Sequence, residues 1–361
     1  MKYEKAILTE YTEKKEIYSR LEQYVAQILS DLMKADRVML MDLTHRLKTH
    51  DSLHRKIIKK DKYRMLSDIT DVIGFRLVAY LSDDVDKIAA LVSERFTMDW
   101  DNTVDKSAIH SPTAFGYSSL HYVCSLPLEG AFSDYPEEFR GIRFEIQIRS
   151  ALQHVWAEIE HDMGYKSEFG VPNNIRREFS RIAGLLEIAD ERFNSIRSSM
   201  ESYVIEIRDK IKNGLATDIP VDQVSLKEFI YNNVKMQELI TCIAGECNTC
   251  VEHVDPFPYL KQLEFLGIST LGKLMEMIER NREEAIAYAR LVLKDVDIDL
   301  ISSNAVLRYL CYIELLRAEY TEQEIEAFMS IATTNKERVQ QNTRALLERR
   351  KLLYPAIDSD Q

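Results

Sequence analysis

With 361 residues, 45% hydrophobic and 29% charged, the chain has the apolar mass of about two ordinary globular domains. Its formal net charge of −12 argues against indiscriminate coating of nucleic acid, so a polyanionic ligand has to meet a local cluster of Lys and Arg. There is no apolar run of about 18 residues to span a membrane, no apolar core of a secretory signal, and five cysteines make no disulfide framework; a cytoplasmic protein is expected.

Residues 1–38 predict one long helix, because Ile7, Tyr11, Ile17, Tyr18, Leu21, Val25, Ile28 and Leu32 recur mostly at spacings of three and four. The basic stretch from Thr44 to Arg64 reads as irregular. Residues 71–80 are rich in β-branched and aromatic side chains and predict a strand, and Val85–Phe96 predicts a helix. Residues 117–126 and 141–148 are further strands, the second with alternating Ile142, Phe144, Ile146 and Ile148. Helical patterning resumes over 150–165 and again over the long charged segment 176–212. The expected architecture is α+β, a small mixed sheet flanked by helices over residues 1–212, then a helical domain over 221–354. Residues 214–220 read as the linker, and Gly267, Gly272 and the stretches 255–258 and 295–299 as turns between helices.

Four clusters carry chemistry. The first holds Arg46, Lys48, Ser52, Lys56, Lys59 and Lys60. If Asp51 or Ser52 caps a helix there, Lys56 and Lys60 fall on one face beside a helix N-terminus, an arrangement suited to polyphosphate; a solvated basic helix face has the same pattern. The second is Asp71, Gly74 and Arg76 at the entry and on one face of a strand. A carboxylate there suits Mg²⁺, or merely caps a turn. In the third, Tyr117, Ser119 and His121 share a strand face after Gly116 and offer an aromatic surface, a hydroxyl and an imidazole, or a turn into a half-buried strand. The fourth is Glu145, Gln147 and Arg149, alternating with isoleucines so that the polar groups point together, either into a cleft or to solvent. The helix after it carries Trp156, Glu160, His161, Tyr165 and Lys166.

Their order and spacing over about residues 40–170 resemble the RelA/SpoT alarmone synthetase domain, and most of all its small synthetase-only members. The separate hydrolase domain of that family has no counterpart here. The resemblance implies a nucleotidyltransferase-like fold and transfer of pyrophosphate from ATP to a ribose 3′-hydroxyl, with release of AMP. It also implies roles. Arg46 and Arg76 would sandwich the adenine, a stacking task for planar guanidinium groups. Lys48, Ser52 and Lys56 would hold the triphosphate. Asp71 and Glu145 would hold Mg²⁺, with Glu145 as general base. Tyr117 would stack on the acceptor base, His121 would contact phosphate near the transfer point, and Ser119, Gln147 and Arg149 would support the acceptor side.

The chain departs from that pattern at Thr113, Phe115 and Ser118, where relatives carry Lys, Asn and Arg or Gln. Lost cations there remove charge-assisted hydrogen bonds of roughly 1.5–3 kcal/mol each from the grip on acceptor phosphates. GDP or GTP is the leading acceptor. The rival is the 3′ end of tRNA, as in toxic members of the family, held by Lys59, Lys60, Lys62 and Arg64 or by Arg176, Arg177 and Arg181. A non-catalytic nucleotide sensor is the third reading, and the Asp71–Glu145 pair argues against it. The helical half suits self-association or a protein regulator. Its Cys242, Cys247, Cys250 and His253 are four zinc-type ligands at a non-standard spacing, a pattern that buried free cysteine also gives.

Overall fold

The computed structural model describes residues 3–60, 62–105, 119–130, 132–165, 172–246, 248–294 and 298–355. The chain divides into two compact units, Met1–Arg197 and Ser198–Gln361. No helix among the described residues is long and apolar enough to cross a membrane.

The first unit opens with α1 (Glu4–Ala35), which buries Ile7, Tyr11, Tyr18, Leu21, Val25, Leu29 and Met33 along one side. It stops where Arg37 turns left-handed (φ 54°) and the Val38 N–H returns to the Met33 carbonyl at 2.9 Å, a closure that satisfies carbonyls left over at a helix end. Then follow β1 (Leu40–Leu47), α2 (His50–Lys59), β2 (Ile73–Ala79), α3 (Ser82–Arg95), β3 (Thr97–Met98), β4 (Val104–Asp105), β5 (Leu120–Ser125), β6 (Phe144–Ser150), α4 (Ala151–Tyr165) and α5 (Asn173–Lys212), whose residues from Ser198 on belong to the second unit.

The strands make one mixed sheet in the order β1-β2-β6-β5-β3, with β4 also paired to β5. Only β2 and β6 run parallel; β1–β2, β5–β6, β3–β5 and β4–β5 are antiparallel. Strand alternation gives the sheet two unlike faces. On one, Phe75, Leu77, Cys124, Phe144, Ile146 and Ile148 are buried in a core shared with α1 and α3. Phe144 makes edge contacts with Phe75 and Phe96 at centroid distances of 5.6 and 5.4 Å. The other face carries Arg46, Gly74, Arg76, Glu145, Gln147 and His121.

The structure bears out the α+β reading and corrects part of it. The segment from Thr44 to Arg64, expected to be irregular, holds the end of β1 and all of α2. A register shift between Leu40 and Asp42 breaks the strand's alternation. That leaves Leu40, Leu43 and Leu47 at spacings of three and four, a helix-like pattern on a strand.

The second unit contains α6 (Gln223–Asn232), α7 (Val234–Glu246), α8 (Leu260–Phe265), α9 (Leu271–Leu293), α10 (Ser303–Arg317), α11 (Glu322–Ala332) and α12 (Lys336–Leu353) around one apolar core. It is helical as expected, with one small addition: β7 (Cys250–Glu252) and β8 (Leu300–Ser302) form a short parallel pair. Gly272, expected to mark a turn, lies instead in the first turn of α9. A Cβ there would stand 2.6 Å from the Thr217 carbonyl oxygen, which the Gly272 N–H itself approaches to 3.0 Å. Close backbone approach, not turn formation, is what requires glycine at this position.

Candidate active site

The sheet register gathers residues distant in sequence. Arg46 lies opposite Gly74 across β1–β2, and Gly74 lies opposite Glu145 across β2–β6. Arg76 pairs with Thr44 on one side and Gln147 on the other, and Gln147 pairs in turn with His121. An added Cβ at Gly74 would meet nothing within 4 Å, so this glycine leaves open space between Arg46 and Glu145. A cavity of about 130 Å³ opens there, lined by Thr44, Arg46, Lys48, Asp71, Gly74, Arg76, Glu145 and Gln147 among others.

Asp71 stands just before β2. The Lys48 N–H donates to the Val72 carbonyl at 2.9 Å, which extends the β1–β2 ladder and brings Lys48 alongside. The Lys48 Nζ donates to Asp71 Oδ2 at 3.1 Å, and the Lys56 Nζ reaches Oδ1 at 2.5 Å as an ion pair off the hydrogen-bond line. Burial alone would raise the Asp71 carboxyl; the ammonium groups of Lys56 and Lys48 outweigh it and hold the group below the usual carboxylate range. Lys56 is delivered by α2, which buries Leu53 and Ile57 on its other side. The cap of that helix is Thr49, whose hydroxyl accepts the Ser52 N–H at 3.3 Å, and not Asp51 or Ser52 as expected. Ser52 takes the third helical position, its Oγ accepting from the Thr49 hydroxyl at 2.9 Å, and does not line the cavity.

Across the cavity a polar chain runs over three residues of one strand and two of its neighbour. Ser119 Oγ is 2.8 Å from His121 Nε2, and His121 Nδ1 is 2.9 Å from Glu145 Oε1. The Gln147 amide donates to the same Oε1 at 2.6 Å, and the Arg149 guanidinium donates to Gln147 Oε1 at 3.1 Å. Burial pushes the Glu145 carboxyl up and the nearby Asp71 charge adds to that push; hydrogen bonds from His121 and Gln147 prevail and set it below its ordinary value. Both hydrogen bonds fall on Oε1. Arg149 itself is 8% exposed and acts behind Gln147.

The structure therefore brings Arg46, Lys48, Asp71, Arg76, Glu145 and Gln147 to one cavity. Lys56 joins through Asp71, His121 through Glu145, Ser119 through His121 and Arg149 through Gln147. Tyr117 lies outside the described residues, as do Thr113, Phe115, Gly116, Ser118 and Lys166. Two residues of α4 belong to the site and were missed in the sequence. Glu158 binds the Arg76 guanidinium at 2.9 Å, and His154 stands one turn before it, 3.8 Å away. Burial, then the Arg76 charge, hold the His154 imidazole below its usual value. Both residues lie on an amphipathic helix where they read as solvent-facing; only the register of Arg76 identifies their partner. In the second unit, Cys242, Cys250 and His253 do not assemble into a metal-holding group, and no such group of three occurs among the described residues. His253 packs instead edge-on to Tyr231 at 4.8 Å; Cys247 lies outside the described residues.

This strand face falls within the span that defines the class. A sequence profile of the region found in RelA / SpoT proteins matches residues 45–169. The chain thus carries a RelA/SpoT region, followed by a helical region that the profile does not cover. Two curated relatives, the GTP pyrophosphokinases YwaC and YjbM of Bacillus subtilis, are 24% and 25% identical over 160 residues. The aligned parts are 43% and 44% of this chain and 73% and 72% of the relatives. Among solved structures, small alarmone synthetase 1 from Bacillus subtilis matches with a TM-score of 0.45 at 22% identity, over 54% of this chain and 98% of that one. A GTP pyrophosphokinase family protein from Streptococcus pneumoniae matches with 0.44 at 23%, over 54% and 96%.

Proposed function

We propose that the first unit transfers pyrophosphate from ATP to the ribose 3′-hydroxyl of GDP or GTP. The observation that carries this reading is one cavity floored by Gly74 and bounded by two acids and four cations: Asp71, Glu145, Arg46, Lys48, Arg76 and, through Asp71, Lys56. Two carboxylates, with no group of three or more metal-type ligands among the described residues, fit Mg²⁺, which takes one or two carboxylates and completes its shell with substrate phosphates and water. When bound, Mg²⁺ would neutralise phosphate charge as it develops. The protein's own groups supply the rest. Lys48 and Lys56 neutralise Asp71 in the free chain, and their ammonium groups are within a side-chain rotation of any triphosphate that arrives. Arg46 and Arg76 lie diagonally on adjacent strands, and Glu158 fixes the Arg76 plane for stacking on a base.

The acceptor oxygen forms a bond to the β-phosphorus of ATP as the bond to the bridging α–β oxygen breaks, and AMP departs with that oxygen. Its proton passes to the His121–Glu145 pair, in which an imidazole and a carboxylate are held 2.9 Å apart by Ser119 on one side and Gln147 on the other. Positioning and charge neutralisation provide most of the catalysis in phosphoryl transfer, and this face is built for both. That the relatives YwaC and YjbM are GTP pyrophosphokinases supports this reading.

A second acceptor, the 3′ end of tRNA, is favoured by one observation: Lys59, Lys60, Lys62 and Arg64 are exposed directly after the turn that delivers Lys56. The test is incubation of the full chain with Mg²⁺, γ-labelled ATP and each of GDP, GTP and deacylated tRNA. Label should move to the guanosine nucleotide with one AMP released per transfer. Label on tRNA alone replaces the acceptor with the second one, and label on none of the three refutes pyrophosphate transfer to these acceptors.

A further inference from the structure

A lysine side chain is a long flexible stem, so the direction of its ammonium depends on how firmly its backbone is held. Lys48 stands in the short link between the end of β1 at Leu47 and the start of α2 at His50, outside both elements. Both of its backbone groups are nevertheless bonded. Its N–H donates to the Val72 carbonyl at 2.9 Å, and its carbonyl accepts from the hydroxyl of Tyr11, 37 residues earlier on α1. One bond ties the link to the entry of β2 and the other ties it to α1. The Lys48 ammonium that results points at Asp71.

Tyr11 is 1% exposed, and its ring packs 6.4 Å from that of Tyr18 and 6.5 Å from that of His50. Burial, then the Glu22 charge, raise its hydroxyl above the ordinary phenol value, so it remains a donor at neutral pH. Two further contacts link α1 to the same segment. Glu22 Oε1 is 2.9 Å from His45 Nδ1 on β1, and Glu4 Oε1 is 2.7 Å from His54 Nε2 on α2. In order along α1, Glu4, Tyr11 and Glu22 meet His54, Lys48 and His45. The helix thus follows, in reverse, the stretch that carries Arg46, Lys48 and Lys56. The two outer contacts involve partly exposed imidazoles, where water competes. The middle one rests on a buried phenol, where an unmade hydrogen bond costs most. Packing does not require the hydroxyl, because phenylalanine would fill the same space. What the hydroxyl adds is the bond to Lys48.

We infer that Tyr11 is a positioning residue of the donor site: its hydroxyl fixes the Lys48 backbone and so aims the Lys48 ammonium at the triphosphate. The inference rests on the cavity being an ATP site, as proposed above. Calorimetric titration of the full chain with Mg²⁺ and the non-hydrolysable α,β-methylene analogue of ATP reads donor binding without an acceptor. Tyr11→Phe should weaken that binding about three- to tenfold. In the labelled-ATP assay the same variant should raise KM by a like factor and keep kcat within about twofold of the parent. Lys48→Met should weaken binding by itself, and adding Tyr11→Phe to it should weaken binding no further, because the ammonium to be aimed is gone. Val25→Ala, at a fully buried position of the same helix, should lower the melting temperature yet leave binding unchanged. Equal binding by the parent and Tyr11→Phe overturns the inference. So do additive losses in the double variant, and so does a Val25→Ala protein that binds as weakly as Tyr11→Phe, the mark of general loosening. A parent that does not bind the analogue refutes the ATP reading and this inference with it, whereas a parent that binds it as tightly as Tyr11→Phe refutes this inference alone.

Discussion

The two faces of the central sheet are made by the same strands, and alternate residues go to opposite fates. Ile146 and Glu145 are neighbours on β6, yet Ile146 is fully buried among phenylalanines and helix side chains while Glu145 bounds an open cavity. The covered face is apolar apart from His45, which meets Glu22 of α1, and the open face gathers the charged side chains beside a few apolar ones such as Val78 and Val123. The comparison separates stability from function by one residue of register: a slip by one would bury Glu145 and Arg76 and expose Phe75 and Ile146. Function therefore rests on the register that the apolar face enforces.

The largest effect should come from breaking the open face alone. Glu145→Gln keeps a hydrogen-bonding group of the same shape beside His121 and Gln147 but removes the charge, and labelled-ATP turnover should fall by about 10²–10⁴-fold. Urea unfolding of the same protein should shift by less than about 1 kcal/mol. The mirror experiment is Ile146→Ala, which should cost about 2–5 kcal/mol in unfolding free energy, as buried isoleucines do. Its turnover per folded molecule should stay close to that of the parent. Large stability loss in the first variant, or large turnover loss per folded molecule in the second, would dissolve the division between faces.

Gly74→Val sharpens the division further, since it adds side chain to the open face without removing anything. An added Cβ meets nothing within 4 Å, so folding should tolerate it. The same methyl groups fill the floor between Arg46 and Glu145, and the KM for ATP should rise about tenfold or more, a loss near 1.4 kcal/mol. Unchanged KM would show that the nucleotide does not use this floor.

How much of this was legible in the sequence follows from the same alternation. Asp71, Gly74, Arg76, Glu145, Gln147 and His121 stand at the start of a strand or at alternate positions along one, so their shared face was readable from spacing two. The pairing of His121 with Glu145 was not, because it depends on which strands lie side by side, and β5 reaches β6 only through the antiparallel register of the folded sheet. Glu158 and His154 were hidden for the same reason: a helix places them over Arg76, and nothing in their own segment names that partner. The first basic segment failed differently. The residues of β1 that fall in it, Thr44, His45, Arg46 and Leu47, include a single aliphatic side chain, so no apolar alternation marks the strand.

Acid titration probes the open face without mutation. The Asp71 and Glu145 carboxyls both lie below their ordinary values in the folded chain, so the unfolded chain binds more protons in that range and stability rises with pH there. Their contribution should be complete above the unfolded values of about 3.9 and 4.3 and should drain away as pH falls through the lower folded values. Unfolding free energy measured from neutral pH downward should fall less steeply in Asp71→Asn than in the parent. Parallel slopes would mean that the Lys48 and Lys56 pairs contribute nothing to folding.

The smallest expected effect tests how the covered face supports the open one. Thr49 caps α2, and α2 carries Lys56 to Asp71 while Leu53 and Ile57 hold it in the core. Thr49→Ala removes the hydroxyl that satisfies the Ser52 N–H and should cost about 1 kcal/mol of stability. The helix is still pinned by its two buried residues, so its last turn, where Lys56 sits, should keep its place. Turnover at saturating ATP should then change by less than the KM, because a frayed first turn weakens triphosphate binding before it disturbs the Asp71 pair. A fall in turnover as large as that of Glu145→Gln would mean that the cap itself meets the reacting phosphates, and that Ser52, which does not line the cavity here, is brought into it by substrate.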